Sequence, residues 1–226
     1  MQKLTIDEML DEFRFTDDYD FVRHFIRFRV EPAAKVQGDG FVSMRVFAPN
    51  VFNVVLYPYL CFVAADPENE GEETYVRLRM PIEMLRKLNV HPQKIFTDFC
   101  AAGEEIDPSA VSYLADEELT NQPDVVESRV VTTMDAFFGL AVVFYNGFLQ
   151  RIANGRDLYV VPISESFAVV MDKEKTDNHL EYARGHIADL VKARQEAGDI
   201  IVGNTWLYES GKDSLVMAAI NLQEKA

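Results

Sequence analysis

The sequence predicts an α+β fold in which a mixed or antiparallel sheet packs against helices, and three observations lead to this prediction. Along the chain, stretches with apolar residues at helical spacing are interspersed with stretches in which apolar and polar residues alternate. Residues 136–153 are apolar on nearly all sides, which predicts one strongly buried helix. Hydrophobic residues make up 48% of the 226 residues, enough to form a core without disulfides.

Residues 1–102 are predicted to form an N-terminal α+β half. Its helices are indicated by capping residues and helical spacing, and its strands by alternating polarity. The run Val54–Ala65 is apolar on both faces, which predicts an interior strand with a break at Pro58, because proline cannot donate a ladder hydrogen bond. The other elements are a helix begun by the capping box of Thr5 and Glu8, a helix from residues 16–18, two strands about Gly38-Asp39-Gly40, a strand at 75–80, a helix begun by Pro81 and a short helix after Pro92.

Residues 125–226 are predicted to form a second α+β half that contains the buried helix. Residues 103–124 are rich in glycine, proline and acidic side chains, so they are predicted to connect the halves; one continuous domain is the alternative. The helix is predicted to end at Asn154-Gly155, where a left-handed residue is favoured. The other elements are strands at 111–114, 125–133, 158–161 and 167–171, a kink at 162–166, a helix at 178–195, and strands at 200–208 and 215–220 about Ser210-Gly211.

The chain carries 37 acidic and 22 basic side chains, a formal net charge of −15. This balance excludes proteins that coat nucleic acid, because they need cations to neutralise phosphates, and it disfavours binding to anionic membranes. The charge is spread evenly over both halves of the chain. It therefore indicates mainly a well-hydrated surface, and only secondarily a mimic of nucleic acid.

The chain is predicted to be soluble and cytoplasmic. It has no apolar run of the length that spans a membrane and no N-terminal stretch typical of an export signal. Its two cysteines, Cys61 and Cys100, lie in apolar stretches, so they are predicted to be buried free thiols.

No motif predicts a metal, a cofactor or a catalytic nucleophile. His179 and His186 would lie two helical turns apart, too far to share one ion, and Cys100 lies on an apolar face. The candidate binding residues are Ser164, Glu165 and Ser166 in the kink, for which turn capping is the alternative. Trp206 is a further candidate, either as a core residue or as an aromatic on a binding face.

From residue 125 onward the chain carries Val130-Val-Thr-Thr-Met134, Gly139-Leu-Ala, Tyr145-Asn-Gly147, and a strand that closes at Tyr208. This order resembles a family of uncharacterised proteins of gut bacteria and their mobile elements, known only as a domain of unknown function. The likeness covers residues 125–210 well and residues 26–65 weakly. It implies an α+β fold and a bacterial origin, and it names no reaction. Where the family has a His-Glu pair and a Ser-Asp pair, this chain has Ser166 with Phe167 and Gly203 with Asn204.

The leading prediction is therefore a non-enzymatic binding or interaction protein with a protein partner. One alternative is an acidic protein that mimics nucleic acid and occupies the basic groove of a partner. Another is a hydrolase that uses carboxylates, for which two carboxylates should converge in a deep pocket. Self-association is also open, because the chain has 16 phenylalanines and exposed aromatic residues often mark interfaces.

Overall fold

The structure, a computed structural model, describes residues 4–32, 42, 44–45, 54–65, 73–113 and 128–223. It confirms the predicted α+β fold. Two antiparallel sheets are present, and helices pack on both. No described helix combines the length and apolar character that a membrane crossing requires.

The first sheet is built around β3 (Val54–Ala65), which is buried over most of its length. One edge of β3 pairs with β1 (Ile26–Pro32), and the other edge pairs with β2 (Met44–Arg45) and then with β4 (Glu73–Arg79). Each pairing is antiparallel. Alternate side chains of β3 belong to two apolar clusters: the main core contains Val54, Leu56, Leu60, Phe62 and Ala64, and a second, smaller cluster contains Val55, Tyr57, Tyr59 and Cys61.

The predicted break of β3 at Pro58 is wrong, since the strand continues through the proline. The Pro58 carbonyl accepts a hydrogen bond from the Met80 amide at 2.9 Å, on the edge where pairing passes from β2 to β4. The nitrogen and carbonyl of a strand residue face the same edge. On that edge Pro58 has no N–H to donate, and the Met80 carbonyl opposite it accepts from the Val42 amide at 3.0 Å instead, so this carbonyl keeps a partner.

The helices of the N-terminal half begin close to the predicted positions, and the helix after Pro92, predicted to be short, has 15 residues. Thr5 and Glu8 form the predicted capping box, in which Glu8 Oε2 accepts from the Thr5 amide at 2.7 Å. Pro81 caps its helix instead of opening it. The helices are α1 (Ile6–Phe15), α2 (Tyr19–Val22), which a 3-10 turn at Arg23–Phe25 joins to β1, α3 (Ile82–Leu88) and α4 (Pro92–Ile106).

The second sheet has six strands in the order β10-β9-β7-β8-β6-β5. The start of the segment predicted to connect the halves belongs to regular structure, because α4 continues to Ile106 and β5 joins this sheet. Residues 114–124, which complete that segment, lie outside the described residues. The strands are β5 (Ser109–Tyr113), β6 (Ser128–Thr133), β7 (Leu158–Ser164), β8 (Phe167–Asp172), β9 (Trp206–Glu209) and β10 (Ser214–Met217).

The stretch predicted as one helix over 136–153 is buried, but it is not one helix. It consists of a 3-10 helix (Ala136–Phe144) and, after a turn at Gly147, α5 (Phe148–Ala153). Two amides of this stretch bond to distant carbonyls: Leu140 to Glu165 at 3.1 Å, and Asn146 to Cys100 at 2.9 Å. These bonds compete with the hydrogen bonds of a continuous α-helix, so the chain changes conformation.

The main core draws residues from both sheets, from the 3-10 helix and from helices α1, α3, α4 and α5. The outer face of the second sheet is covered by α6 (Lys173–Asn178) and α7 (Leu180–Glu196), where one helix at 178–195 was predicted. The predicted helix end at Asn154-Gly155 is confirmed by positive φ angles of 47° and 82°. The division of the chain into domains stays a prediction.

Candidate functional site

The candidate residues Ser164, Glu165 and Ser166 form the tip of the β7–β8 hairpin. Ser164 Oγ accepts from the Ser166 amide at 3.2 Å, which caps the turn. The tip is docked into the molecule, because the Glu165 carbonyl accepts from the Leu140 amide and the Ser166 carbonyl accepts from Thr132 Oγ1 at 2.7 Å. These contacts give the tip a structural role in joining the second sheet to the 3-10 helix.

Trp206 opens β9 and has no solvent-exposed surface. Its ring lies 6.0 Å from that of Phe144, centroid to centroid. Of the two alternatives for this residue, the structure places it in the core. It does not lie beside the hairpin tip as part of one surface site.

Glu165 also belongs to a buried ion network that the sequence does not reveal. Arg29 Nη2 donates to Glu165 Oε1 at 2.9 Å, and Arg29 Nε lies 3.5 Å from Glu31 Oε1. Arg79 Nη2 donates to the same Glu31 oxygen at 2.8 Å, and Arg79 Nε donates to Tyr59 Oη at 2.9 Å. Two arginines therefore neutralise the two carboxylates.

The network does not provide the chemistry of a carboxylate-dependent hydrolase. The side chains of Glu31 and Glu165 are 7% and 8% exposed, and each binds an arginine instead of facing a substrate cleft. Burial raises the pKa of the Glu165 carboxyl, and the nearby Arg29 charge opposes this rise. The Arg29 guanidinium also lies 3.8 Å from the centre of the Phe137 ring, which covers it.

A second ion pair ties the 3-10 helix to the first sheet. Arg77 donates to both oxygens of Asp135 at 3.0 to 3.2 Å, and Asp135 Oδ1 caps the helix by accepting from the Phe137 amide. Arg29 and Arg77 are visible in the sequence as alternating strand residues. Their partners Glu165 and Asp135 are remote in the chain, so no local signal could have found these two pairs.

The two thiols are unsuited to nucleophilic catalysis. Cys61 and Cys100 are free and buried, as predicted. Burial raises the pKa of each thiol to about 12, so both are protonated at neutral pH. In the described part of the chain, no three His, Cys, Asp or Glu side chains are grouped so that they could hold one metal ion.

Two clefts are assembled from elements that are distant in sequence. The first, here called the α1–α3 groove, has a volume of about 360 Å³. Helical spacing predicts an apolar face on α1, but it cannot predict the gap between two helices. The groove is lined by Leu10, Phe13, Arg14, Leu60, Leu78, Arg79, Pro81, Glu83, Met84 and Lys87.

The second cleft, here called the hairpin cleft, also has a volume of about 360 Å³. It lies between α4, the end of the 3-10 helix and the β9–β10 hairpin. None of the four candidate binding residues is among those that line it. It is lined by Gln93, Phe96, Thr97, Cys100, Val143, Phe144, Tyr145, Asn146, Gly147, Leu149, Tyr208, Asp213 and Leu215.

One buried hydroxyl at this cleft leads to a stability prediction. Tyr145 is 3% exposed, and its hydroxyl has no hydrogen-bond partner within the described chain. Because an unpaired buried hydroxyl is costly, Tyr145→Phe is expected to raise the free energy of unfolding by up to about 1 kcal/mol.

Tyr159→Phe is the matched control: Tyr159 is 4% exposed and donates to Asp177 at 2.8 Å. It should lower that free energy by about 1 kcal/mol. Urea unfolding measures both, and a larger loss for Tyr145→Phe would contradict the prediction.

Comparison with known proteins found no family model, no curated protein and no solved structure that matches this chain. The resemblance to the family of gut bacteria therefore stays a prediction.

Proposed function

We propose that this protein is a non-enzymatic interaction protein of the bacterial cytoplasm, and that the α1–α3 groove receives an amphipathic helix of a partner protein. The observation that carries the proposal is the solvent-open apolar groove between two helices. Helix-in-groove binding is a common mode of peptide recognition, in which apolar residues at i, i+3 or i+4, and i+7 enter such a groove.

The groove has an apolar floor and apolar walls. Leu60 of β3, Leu78 of β4, Leu10 of α1 and Met84 of α3 are among its lining residues. Leu60 and Met84 are buried, whereas Leu10 and Leu78 are partly exposed. Phe15, at the end of α1, is 72% exposed and extends the apolar surface. An apolar helix face would cover the half-buried Leu10 and Leu78 and the exposed Phe15, and would gain the corresponding hydrophobic free energy.

The charge at the rim favours an acidic occupant. Lys87 Nζ donates to the Arg14 carbonyl, and both cationic side chains lie near the Phe15 ring, at 5.9 and 5.8 Å. Glu83 is the acidic residue among those lining the groove. Arg79 turns its guanidinium to the opposite face of the sheet, where it binds Glu31. A basic rim on a chain of net charge −15 supports recognition of a helix with acidic flanks.

The remaining polar groups support binding rather than catalysis. The buried carboxylates Glu31 and Glu165 are paired with arginines, and both thiols are protonated in the interior. Free thiols also suit the reducing cytoplasm. The bacterial origin rests on the family resemblance.

The test compares Lys87→Glu with Arg86→Glu, an exposed position on the same helix that does not line the groove. The probe is a fluorescent synthetic helix with a leucine stripe and glutamate flanks. We expect Lys87→Glu to weaken its binding about tenfold at low salt, because a rim cation becomes an anion, whereas Arg86→Glu should change it less than about twofold. Fluorescence anisotropy measures both.

A second peptide keeps the leucine stripe and replaces the glutamates by lysines. It should bind the wild-type protein more weakly than the acidic peptide and should bind Lys87→Glu more tightly than wild type. Failure of both peptides to bind, or equal loss in the two variants, would overturn the proposed function.

A further inference from the structure

The hairpin cleft has the size of a small-molecule site. Its volume of about 360 Å³ lies in the lower part of the range for ligand pockets. Four elements form its walls: α4, the end of the 3-10 helix with the turn that follows it, α5 through Leu149, and the β9–β10 hairpin. It shares no residue with the α1–α3 groove.

Two half-buried aromatic rings stand in the wall of this cleft. The centroids of Phe96 and Phe144 are 6.1 Å apart, and the rings are inclined at 67°. Trp206 supports Phe144 from the core. Partly exposed rings in this arrangement offer contact to a flat or aliphatic body, and their faces attract cations.

A single formal charge lies at the rim. Asp213 is the one charged side chain among the described residues that line the cleft; Gln93, Thr97 and Asn146 are polar but neutral. Tyr208 donates to Asp213 Oδ1 at 2.6 Å, which orients the carboxylate. Asp213 Oδ2 has no hydrogen-bond or ion-pair partner in the described part of the chain, so it is available to a ligand. With no cation in the lining, the cleft offers an anionic ligand no counter-charge.

We propose that the hairpin cleft binds a small organic cation, with its ammonium group at Asp213 Oδ2 and its apolar body against Phe96 and Phe144. The ammonium group donates hydrogen bonds to the carboxylate and lies near the aromatic faces. The proposal is independent of the partner helix, since the two clefts are lined by different residues.

The test uses three probes of nearly equal shape: phenethylamine, which is cationic, 2-phenylethanol, which is neutral, and 3-phenylpropionate, which is anionic. Isothermal titration calorimetry measures their affinities, and chemical-shift changes locate them. We expect the wild-type protein to bind the amine most tightly and the carboxylate least. Absence of measurable amine binding, or equal affinity for amine and carboxylate, would overturn the proposal.

Asp213→Asn removes the charge and leaves the local geometry intact. Asp213 has a positive φ of 48°, which asparagine adopts readily, and an asparagine carbonyl still accepts from Tyr208. The variant should bind the amine about tenfold more weakly and the alcohol as wild type does. Asp189→Asn, an acid on α7 that does not line the cleft, is the matched control and should bind the amine as wild type does.

Thr97→Trp tests the place of binding, since Thr97 is an exposed lining residue of α4. If the tryptophan side chain fills the cleft, this variant should bind neither the amine nor the alcohol. Unchanged amine binding in this variant, or in Asp213→Asn, would overturn the proposal.

Discussion

Gly139→Ala is expected to lower the free energy of unfolding by about 3–5 kcal/mol, or to prevent folding. A Cβ at this position would lie 1.6 Å from the Ser166 carbonyl oxygen and 2.2 Å from Thr132 Oγ1. The Ser166 carbonyl cannot move away freely, because Thr132 binds it and the neighbouring Glu165 carbonyl binds the Leu140 amide. The added methyl group must therefore displace the hairpin tip from the 3-10 helix.

Gly185→Ala is the matched control, because Gly185 lies inside α7 and a Cβ there would meet no atom within 4 Å. It should raise the free energy of unfolding by about 0.5–1 kcal/mol, since alanine favours the helix. Urea denaturation followed by the fluorescence of Trp206, the single tryptophan, measures both variants. A Gly139→Ala protein as stable as wild type would show that the tip is not docked as described.

Arg29→Met is expected to lower the free energy of unfolding by about 3–5 kcal/mol at neutral pH, because it leaves the buried Glu165 carboxylate without its counter-ion. Glu31 retains Arg79, so the loss concerns mainly Glu165. The exposed pair of Arg23 and Asp20 is the control, with side chains 44% and 82% exposed. Arg23→Met should cost less than about 0.5 kcal/mol.

The pH dependence of this loss has a definite sign. Burial raises the pKa of Glu165 above its ordinary 4.5, and removal of Arg29 takes away a charge that opposes the rise. A carboxyl whose pKa is higher in the folded than in the unfolded state favours folding when protonated. That contribution is present below the unfolded pKa and is lost as the pH rises through the folded pKa.

The deficit of Arg29→Met should therefore be largest at neutral pH and should shrink on mild acidification. Arg29→Met/Glu165→Met, in which no unpaired Glu165 charge remains, should recover part of the loss at neutral pH. Urea unfolding of the three proteins at neutral and mildly acidic pH measures these differences. A deficit that grows on acidification would contradict the assignment to Glu165.

Local sequence signals predicted several elements correctly. The capping box of Thr5 and Glu8 opens α1, Asn154-Gly155 ends α5, and alternating polarity marks β4. In each case, the residues that create the signal and the atoms that respond to it are within a few positions of one another. Their preferences therefore hold without knowledge of the rest of the chain.

Predictions failed where a distant contact changes the local preference. The helix over 136–153 is divided because Leu140 and Asn146 bond to carbonyls of the β7–β8 hairpin and of α4. The strand through Pro58 stays continuous because its edge at that point passes from one partner strand to another. Apolar periodicity reports burial, but it does not report which backbone groups meet across the core.

For the candidate site as well, some properties follow from the local sequence and others only from tertiary packing. Composition and local pattern determined the α+β class, the charge of −15 and the absence of recognisable catalytic motifs, because these depend only on residue identities and their near neighbours. Tertiary packing decided that Ser164 and Trp206 are buried, that Arg29 neutralises Glu165, and that two clefts open between remote elements. A cleft is a gap between surfaces, and its lining is set by how helices and sheets pack, which no single stretch of the chain specifies.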